Sequence, residues 1–504
     1  MSSYELSAGG SAASSTARNA DLTGVLSVML AVVGCGLFAL SMPAVPDHGY
    51  QFFLAREILG GAKLYVDVAA ADMHPPLFTW FAASIEIVAR AFGTTGLRIY
   101  PFVVIALTSG SLWTLWRLGL RSSFVLMAVA VALLPMAGPY LGQGEHLALI
   151  CSLPYLAASA IAPEAMARRP FTRVLIAIAA AFGLAMKPYF ALVWIGTELY
   201  LAQQHGRRSL LRIENFIIAI CFTGYVVATA LITPEFFRLL PWLMQLYPRF
   251  AHAPLSAILV DRRMLLLIVA LVIVRIFKIG PEWYRLADVL SIAALAMLVA
   301  VLLQGKDWGY HWYPVTALSV VMIGLTLRQF GERLRLVTVI IGVVAVLWMN
   351  RQVDRTAALL AAPPAYLGQL IEVVEKRAQG GPIVALADNI HAGFPLVTYT
   401  GVGWASPYAH LWMIPAMYRD SWYRGAPWRY RSAGKWQGLE QQMFDGLWTA
   451  IDRKKPTLML LQVPLDNGFN TMDYFATDPR FEALFRRSIQ LETVGHYRII
   501  GLRY

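Results

Sequence analysis

Between residues 22 and 350 the chain returns repeatedly to apolar runs of the length that crosses a lipid bilayer, and this repetition restricts the fold more than any single motif. Inside hydrocarbon only helices or closed barrels satisfy every backbone polar group, and ~17–25 apolar residues suffice for one helical crossing. The runs lie near 22–42, 97–117, 122–138, 146–162, 172–186, 188–204, 213–233, 262–278, 286–304, 312–328 and 334–350. They predict a polytopic α-helical membrane protein with about eleven transmembrane helices. Composition agrees: 58% of residues are hydrophobic, only 14% are charged, and the mean hydropathy is +0.56. A soluble chain of this length does not have that balance.

The net charge of +12 raises the question of nucleic acid, but the basic residues form no patch along the chain. They fall in short clusters between apolar runs, which argues for membrane lipid as the partner and against nucleic acid. With the N-terminus cytoplasmic, the inner connections hold Arg18, then Arg117 and Arg121, then Arg168, Arg169 and Arg173, then Arg207, Arg208 and Arg212. They continue with Arg275, Lys278 and Arg285, and end with Arg328, Arg333 and Arg335, while the longer outer connections are poorer in such residues. Positive charge retained on one side predicts an N-in, C-out topology. Residues 1–20, rich in Ser, Ala and Gly, read as a disordered cytoplasmic tail. The run 22–42 lacks a basic n-region and a small-residue cleavage site, so it is expected to be a retained helix. Cys35, Cys151 and Cys221 sit in apolar runs and predict core packing rather than a disulfide framework.

Residues 43–96 form the first outer loop in this topology. Two stretches, about 50–60 and 75–92, have helical character but carry charge, and are expected to lie at the membrane interface. Trp80 and the i,i+4 pair Glu86 and Arg90 would then face headgroups. After residue 350 the polarity becomes mixed, and residues 351–504 predict an extracytoplasmic α/β domain. Its strands are expected at 382–387, 456–463 and 496–502, its helices at 365–378 and 436–453. Trp404, Tyr408, Trp412, Trp422 and Trp428 suggest contact with the membrane surface or a carbohydrate, with core packing as the alternative.

Sorted by side, the unusual polar residues gather on the outer face. Asp47, His48, Tyr50, Asp67, Asp72 and His74 lie in the first outer loop; Gln143, Glu145 and His146 lie at the outer ends of two spans; Lys187 marks the tip of a helical hairpin. Gln304, Lys306, Tyr310 and His311 cap two later spans. Charge inside or beside a membrane is costly and marks function by default. This assortment suits group transfer from a phosphate-linked lipid. Lys187 and Lys306 can neutralise a phosphate where screening is weak. Asp47 can act as general base toward an acceptor hydroxyl, and Glu145 can orient the acceptor or stabilise developing positive charge. One base opposite the leaving phosphate implies single displacement with inversion, by analogy with carboxylate geometry in sugar hydrolysis.

This layout resembles the GT-C superfamily of integral-membrane glycosyltransferases, in particular the bacterial branch with the lipid A aminoarabinose transferase and the protein O-mannosyltransferases. The resemblance rests on Val-Pro-Asp47-His-Gly-Tyr just after the first run, on Ala55-Arg-Glu through Leu64-Tyr65-Val-Asp67, and on His74-Pro-Pro-Leu. It continues at Lys187-Pro-Tyr-Phe and at Gln304-Gly-Lys306 with Tyr310-His311, and covers about residues 20–350. Asp47 is followed by His where relatives commonly have Glu, and Glu145 stands where Asp is more usual. The resemblance implies a catalytic transmembrane domain over 21–350 in a bacterial inner membrane, and the N-in, C-out topology would make residues 351–504 periplasmic. It implies Asp47 and Glu145 as catalytic residues, and His48, Tyr50, Asp67, His74, Gln143, His146, Lys187, Gln304, Lys306, Tyr310 and His311 as substrate-binding ones. The donor would be a polyprenyl-phosphate sugar and the acceptor a lipid, glycan or protein, with no cofactor. A divalent metal held by His48, His74, His146 or His311 with Asp47 or Glu145 is an alternative without supporting spacing. A transporter or flippase, or a non-catalytic component of an envelope polysaccharide system, are the other classes to separate.

Overall fold

The computed structural model describes residues 45–161, 166, 169–277, 280–331, 365–436 and 438–504, together with residue 32. The expected tail 1–20 and the expected spans 22–42 and 334–350 lie outside the described residues. The chain folds into two compact units: one from Met1–Met42, Tyr100–Gly224 and Ala253–Thr356, the other from Pro43–Ile99, Tyr225–His252 and Ala357–Tyr504. The second unit thus gathers the first expected outer loop and a segment near 240 around the C-terminal segment, whereas the sequence alone suggests a boundary at 350.

Every span expected within the described residues coincides with a helix, among them Gly96–Arg117, Gly144–Ala160, Pro170–Ala185, Ile213–Ile232, Pro281–Gln304 and Gly309–Gly331. Three of the described helices are both long and apolar enough to cross a membrane, Gly96–Arg117, Ile213–Ile232 and Trp283–Gln304. At 22 residues, Gly96–Arg117 is ~33 Å long, which matches the hydrocarbon thickness. Helix Gly144–Ala160 is the buried centre of its unit, with Leu147 to Ala160 shielded on all sides. Its neighbour Pro170–Ala185 comes close because of Gly183, where a Cβ would stand 2.7 Å from the Cys151 Cβ and 3.0 Å from the Leu147 carbonyl oxygen. Close approach through small residues is how helices bind in lipid, where apolar contact alone gives little preference. Glu214 takes a bidentate pair from Arg173 at 2.6 and 2.7 Å. Glu198 accepts from the Tyr155 hydroxyl at 2.5 Å and from the Asn215 amide at 2.6 Å, and pairs with Arg212. These acids tie helices together.

The second unit is built on a four-stranded sheet, β1 (Ile383–Leu386), β2 (Leu458–Gln462), β3 (Ile489–Val494) and β4 (Tyr497–Gly501), in the order β1-β2-β4-β3. β1 and β2 are parallel, and β4 is antiparallel to both β2 and β3. β1 and β2 read Ile-Val-Ala-Leu and Leu-Met-Leu-Leu-Gln without polar alternation because both sheet faces are covered. Val384, Leu386, Met459, Leu461 and Ile500 join Met443, Phe444 and Leu447 of helix Leu439–Lys454 on one face. Ile383, Ala385, Leu458, Leu460 and Ile499 join Leu370 and Val374 of helix Ala365–Arg377 on the other. That second core also takes Tyr50, Phe53 and Leu54 from helix Pro46–Leu59. Burying these three side chains holds the helix that carries Asp47, each contributing ~1.5–3 kcal/mol before entropy is subtracted.

Two expectations are corrected here. Glu86 does not face headgroups: it is 3% exposed and accepts the Gly96 N–H at 2.7 Å, capping the following helix, while Arg90 reaches it at 3.4 Å. An acid at a helix N-terminus satisfies an orphan N–H and complements the dipole. Trp404, Tyr408 and Trp412 are buried core residues; Trp404 donates to the Tyr408 carbonyl and Trp412 to the Ala71 carbonyl, both at 3.0 Å. Their indole N–H groups find partners inside, so the rings pack as core.

Candidate active-site clusters

In the helical unit the turns after three helices bring Glu145, Lys187, Gln304, Tyr310 and His311 together. Glu145 stands in the first turn of Gly144–Ala160, where the helix N-terminus favours a carboxylate. Lys187 lies at the hairpin between Pro170–Ala185 and Ala191–His205, and its Nζ is 2.5 Å from Glu145 Oε1. Side-chain exposures of 12% and 2% make this a buried ion pair. The His311 Nε2 stands 3.9 Å from the same oxygen, and the Lys187 ammonium lies 5.2 Å over the Tyr310 ring. Tyr189 donates its hydroxyl to Gln304 Oε1 at 2.6 Å, and the Gln304 amide is anchored on the Ala300 carbonyl at 3.0 Å. Gly305 ends the preceding helix in the left-handed region (φ 58°), which turns the chain into Lys306. Lys306 is fully buried, with Trp308 5.8 Å beneath its ammonium. An ammonium taken out of water is held by opposite charge or by a ring face.

Gln143 is the N-cap residue of the Glu145 helix. His146 serves the backbone: Nδ1 accepts the Gly142 N–H at 2.8 Å and Nε2 donates to the Leu133 carbonyl at 2.6 Å. With both ring nitrogens committed, it is a strut for the turn before Glu145.

In the mixed unit, Pro46 starts helix Pro46–Leu59 at a position where its missing N–H costs nothing, and Asp47 follows in the first turn. Gly49 lets this helix approach another segment: a Cβ there would be 3.0 Å from Pro395 Cα, and the Gly49 carbonyl accepts the Thr398 hydroxyl at 2.8 Å. Asp47 thereby comes within electrostatic reach of His391; burial lowers the His391 pKa and the Asp47 charge opposes that. His48 is buried and stacks on Phe78 at 6.3 Å. A second group forms around Asp72, whose Oδ1 is 2.7 Å from His74 Nδ1 and accepts the His74 N–H at 2.9 Å. Burial would raise the Asp72 pKa, but the His74 charge and hydrogen bonds outweigh it and hold the carboxyl below its usual range. Tyr65 donates to the His74 carbonyl at 2.7 Å. Tyr50 has its hydroxyl pKa raised first by burial and then by Asp72 beside it. Burial pushes His410 down to about 4 against the pull of Asp72.

Asp67 stands apart from this group. Its carboxylate accepts the Lys63 N–H at 3.0 Å and meets Arg453 at 3.5 Å, which is the work of a turn cap. Sequence reasoning names Asp67 among the substrate-binding residues and leaves out Asp72, although both lie in the same loop, and it misses Tyr65, Tyr189, His391 and His410. Histidine is scarce in this chain, nine in all, and that scarcity was the available signal for the last two. Among the described residues no three His, Cys, Asp or Glu side chains are grouped so as to hold a metal ion.

No protein-family model matches the sequence, and no curated protein matches it. Among solved structures, the chain is similar to ArnT from Cupriavidus metallidurans, in a crystal structure bound to undecaprenyl phosphate. The likeness has a TM-score of 0.56 at 14% identity and covers 95% of this chain and 97% of that one. At such identity the likeness speaks for the fold, and it spans nearly the whole of both chains. The overall fold of that structure is therefore the fold this chain adopts, in keeping with the sequence resemblance.

Proposed function

We propose that the protein is a membrane glycosyltransferase that moves a sugar from a polyprenyl-phosphate donor to an acceptor on the periplasmic face of a bacterial inner membrane. Lys187 carries the reading: a lysine held ready in a buried pair with Glu145, on a fold shared with a protein crystallised with undecaprenyl phosphate. A phosphate oxygen competes well for such an ammonium, because Coulomb attraction is strong where water is sparse. In the proposed reaction Asp47 accepts the proton of an acceptor hydroxyl as its oxygen bonds to the anomeric carbon. The bond from that carbon to the phosphate oxygen breaks, the electron pair leaves on the phosphate, and the sugar carbon inverts. Lys187 and Lys306 neutralise the departing phosphate, and Glu145 positions Lys187. Carboxylate, ammonium and phosphate cover each charge, so the scheme invokes no cofactor. The positive-inside pattern supports the orientation, with about eleven crossings and the mixed unit outside.

Reconstituted protein given a labelled polyprenyl-phosphate sugar and membrane extract should release polyprenyl phosphate in step with sugar transfer, and the product should show the inverted anomeric configuration. Movement of the intact donor across vesicles without cleavage would instead make the protein a transporter. An alkaline-phosphatase fusion after residue 380 should be active, and a silent fusion would overturn the orientation.

A further inference from the structure

Away from these clusters, and entirely within the mixed unit, lies an open cavity of about 500 Å³ walled by Arg249, Arg419, Arg424, Arg429 and Arg431, with Asp420 as its one carboxylate. Along the chain these arginines reveal little, because Arg249 is separated from the rest by more than 150 residues (from 249 to 419). The fold brings them together. Arg249 ends the turn Tyr247–Arg249, whose flanking rings Tyr247 and Phe250 pack on Trp412 at 6.1 and 5.6 Å. The Ala251 N–H donates to the Tyr423 hydroxyl at 2.8 Å, which clamps the same turn to the short helix Arg419–Arg424.

The floor is rigid. Glu440 is fully buried and accepts from the Tyr418 hydroxyl at 2.8 Å, the Tyr474 hydroxyl at 2.9 Å and the Arg431 guanidinium at 2.6 Å. Arg431 also lies 5.2 Å over the Tyr418 ring. A guanidinium held from behind by a carboxylate and a ring has lost its freedom before any ligand arrives, which lowers the cost of binding. Asp420 is occupied by Arg424, at 3.0 Å in an exposed i,i+4 pair. Among the described residues, Arg249, Arg419 and Arg429 have no carboxylate within ion-pair distance. Like charges gathered in a concave wall repel unless a counter-charge joins them. Guanidinium forks match the oxygens of phosphate bidentately, and the cavity is of the size that holds a small ligand.

We propose that this cavity binds a phosphate-bearing group of more than one negative charge, supplied either by a lipid headgroup or by a soluble phosphorylated compound. The site stands on its own residues and does not rest on the glycosyltransferase reading. The test titrates full-length protein in detergent micelles with inorganic pyrophosphate by calorimetry, and in parallel measures its binding to nanodiscs of phosphatidylcholine with and without phosphatidic acid. Arg419→Gln combined with Arg429→Gln removes two charges that are not engaged in packing the core. The double variant should weaken binding about tenfold or more, since charge-assisted bidentate contacts are lost. Arg486→Gln combined with Arg487→Gln removes the same charge elsewhere in the unit and should leave binding within about twofold. Pyrophosphate binding lost in the first variant assigns a soluble phosphate; loss confined to phosphatidic-acid nanodiscs assigns a headgroup. No binding of either probe by wild-type protein, or equal loss in both double variants, overturns the proposal. Asp47→Asn should bind both probes as wild type does, which separates failure here from failure of the functional reading.

Discussion

Lys187 and Glu145 offer a test that distinguishes a structural ion pair from one kept for a ligand. Their atoms are 2.5 Å apart with exposures of 12% and 2%, so both charges are largely shielded from bulk water. Lys187→Met leaves the Glu145 carboxylate buried without its ammonium partner, with the His311 ring 3.9 Å away. Removing one partner of such a pair costs about 3–5 kcal/mol, whereas removing both is often close to neutral. For a unit of this size each kcal/mol moves the thermal midpoint by about 2–4 °C, so Lys187→Met should lower it by roughly 6–20 °C. Lys187→Met with Glu145→Gln should recover most of that loss. Donor binding should behave differently. If Lys187 holds the phosphate, both the single and the double variant should bind polyprenyl phosphate at least about tenfold more weakly, because a charge-assisted contact is missing from each. Midpoints by nanoDSF and affinities in the same detergent give both readouts from one preparation. A double variant as unstable as the single refutes the buried-pair argument. A double variant that binds polyprenyl phosphate like wild type refutes the phosphate role.

Further outcomes follow from the mixed unit. His410 has a folded-state pKa of about 4, below its unfolded value, so the unfolded chain takes up the proton first as pH falls. Its contribution to stability is complete above pH ~6.5 and is lost as pH falls toward 4, on the order of 1–3 kcal/mol. Thermal midpoints at pH 7.5 and 5 should differ less in His410→Leu than in wild type; an equal difference would exclude His410 as the source. Glu440→Ala strands two tyrosine hydroxyls, while the half-exposed Arg431 can turn to water, and should cost about 2–4 kcal/mol, read as a fall in the midpoint; a change below about 1 kcal/mol would contradict the rigid floor.

The membrane-length helices were legible because apolar length and period survive in one dimension, β1 and β2 because their burial leaves nearly continuous apolar runs, and β4 because Tyr497, Ile499 and Ile500 keep a short apolar pattern around Arg498. β3 was not legible: five of its six residues are exposed, so Ile489–Thr493 has no pattern that separates an edge strand from a loop. The grouping of Pro46–Leu59 with the C-terminal sheet was not legible either. It depends on Tyr50, Phe53 and Leu54 filling a sheet face more than 300 residues away in sequence (from 54 to 383), and an apolar helix face does not name its partner. For the candidate site, residue types pointed to Glu145, Lys187 and His311, which do meet. They could not tell Asp67, a turn cap, from Asp72, which pairs with His74, because the difference lies in which loop turn each occupies.

The most direct measurement is turnover by Asp47→Asn with a labelled polyprenyl-phosphate sugar, alongside the donor KM. A general base contributes about 10²–10⁴-fold, so turnover should fall by at least about 100-fold while the donor KM stays within about threefold. Turnover within about threefold of wild type would contradict the assignment of Asp47 and, with it, the proposed reaction.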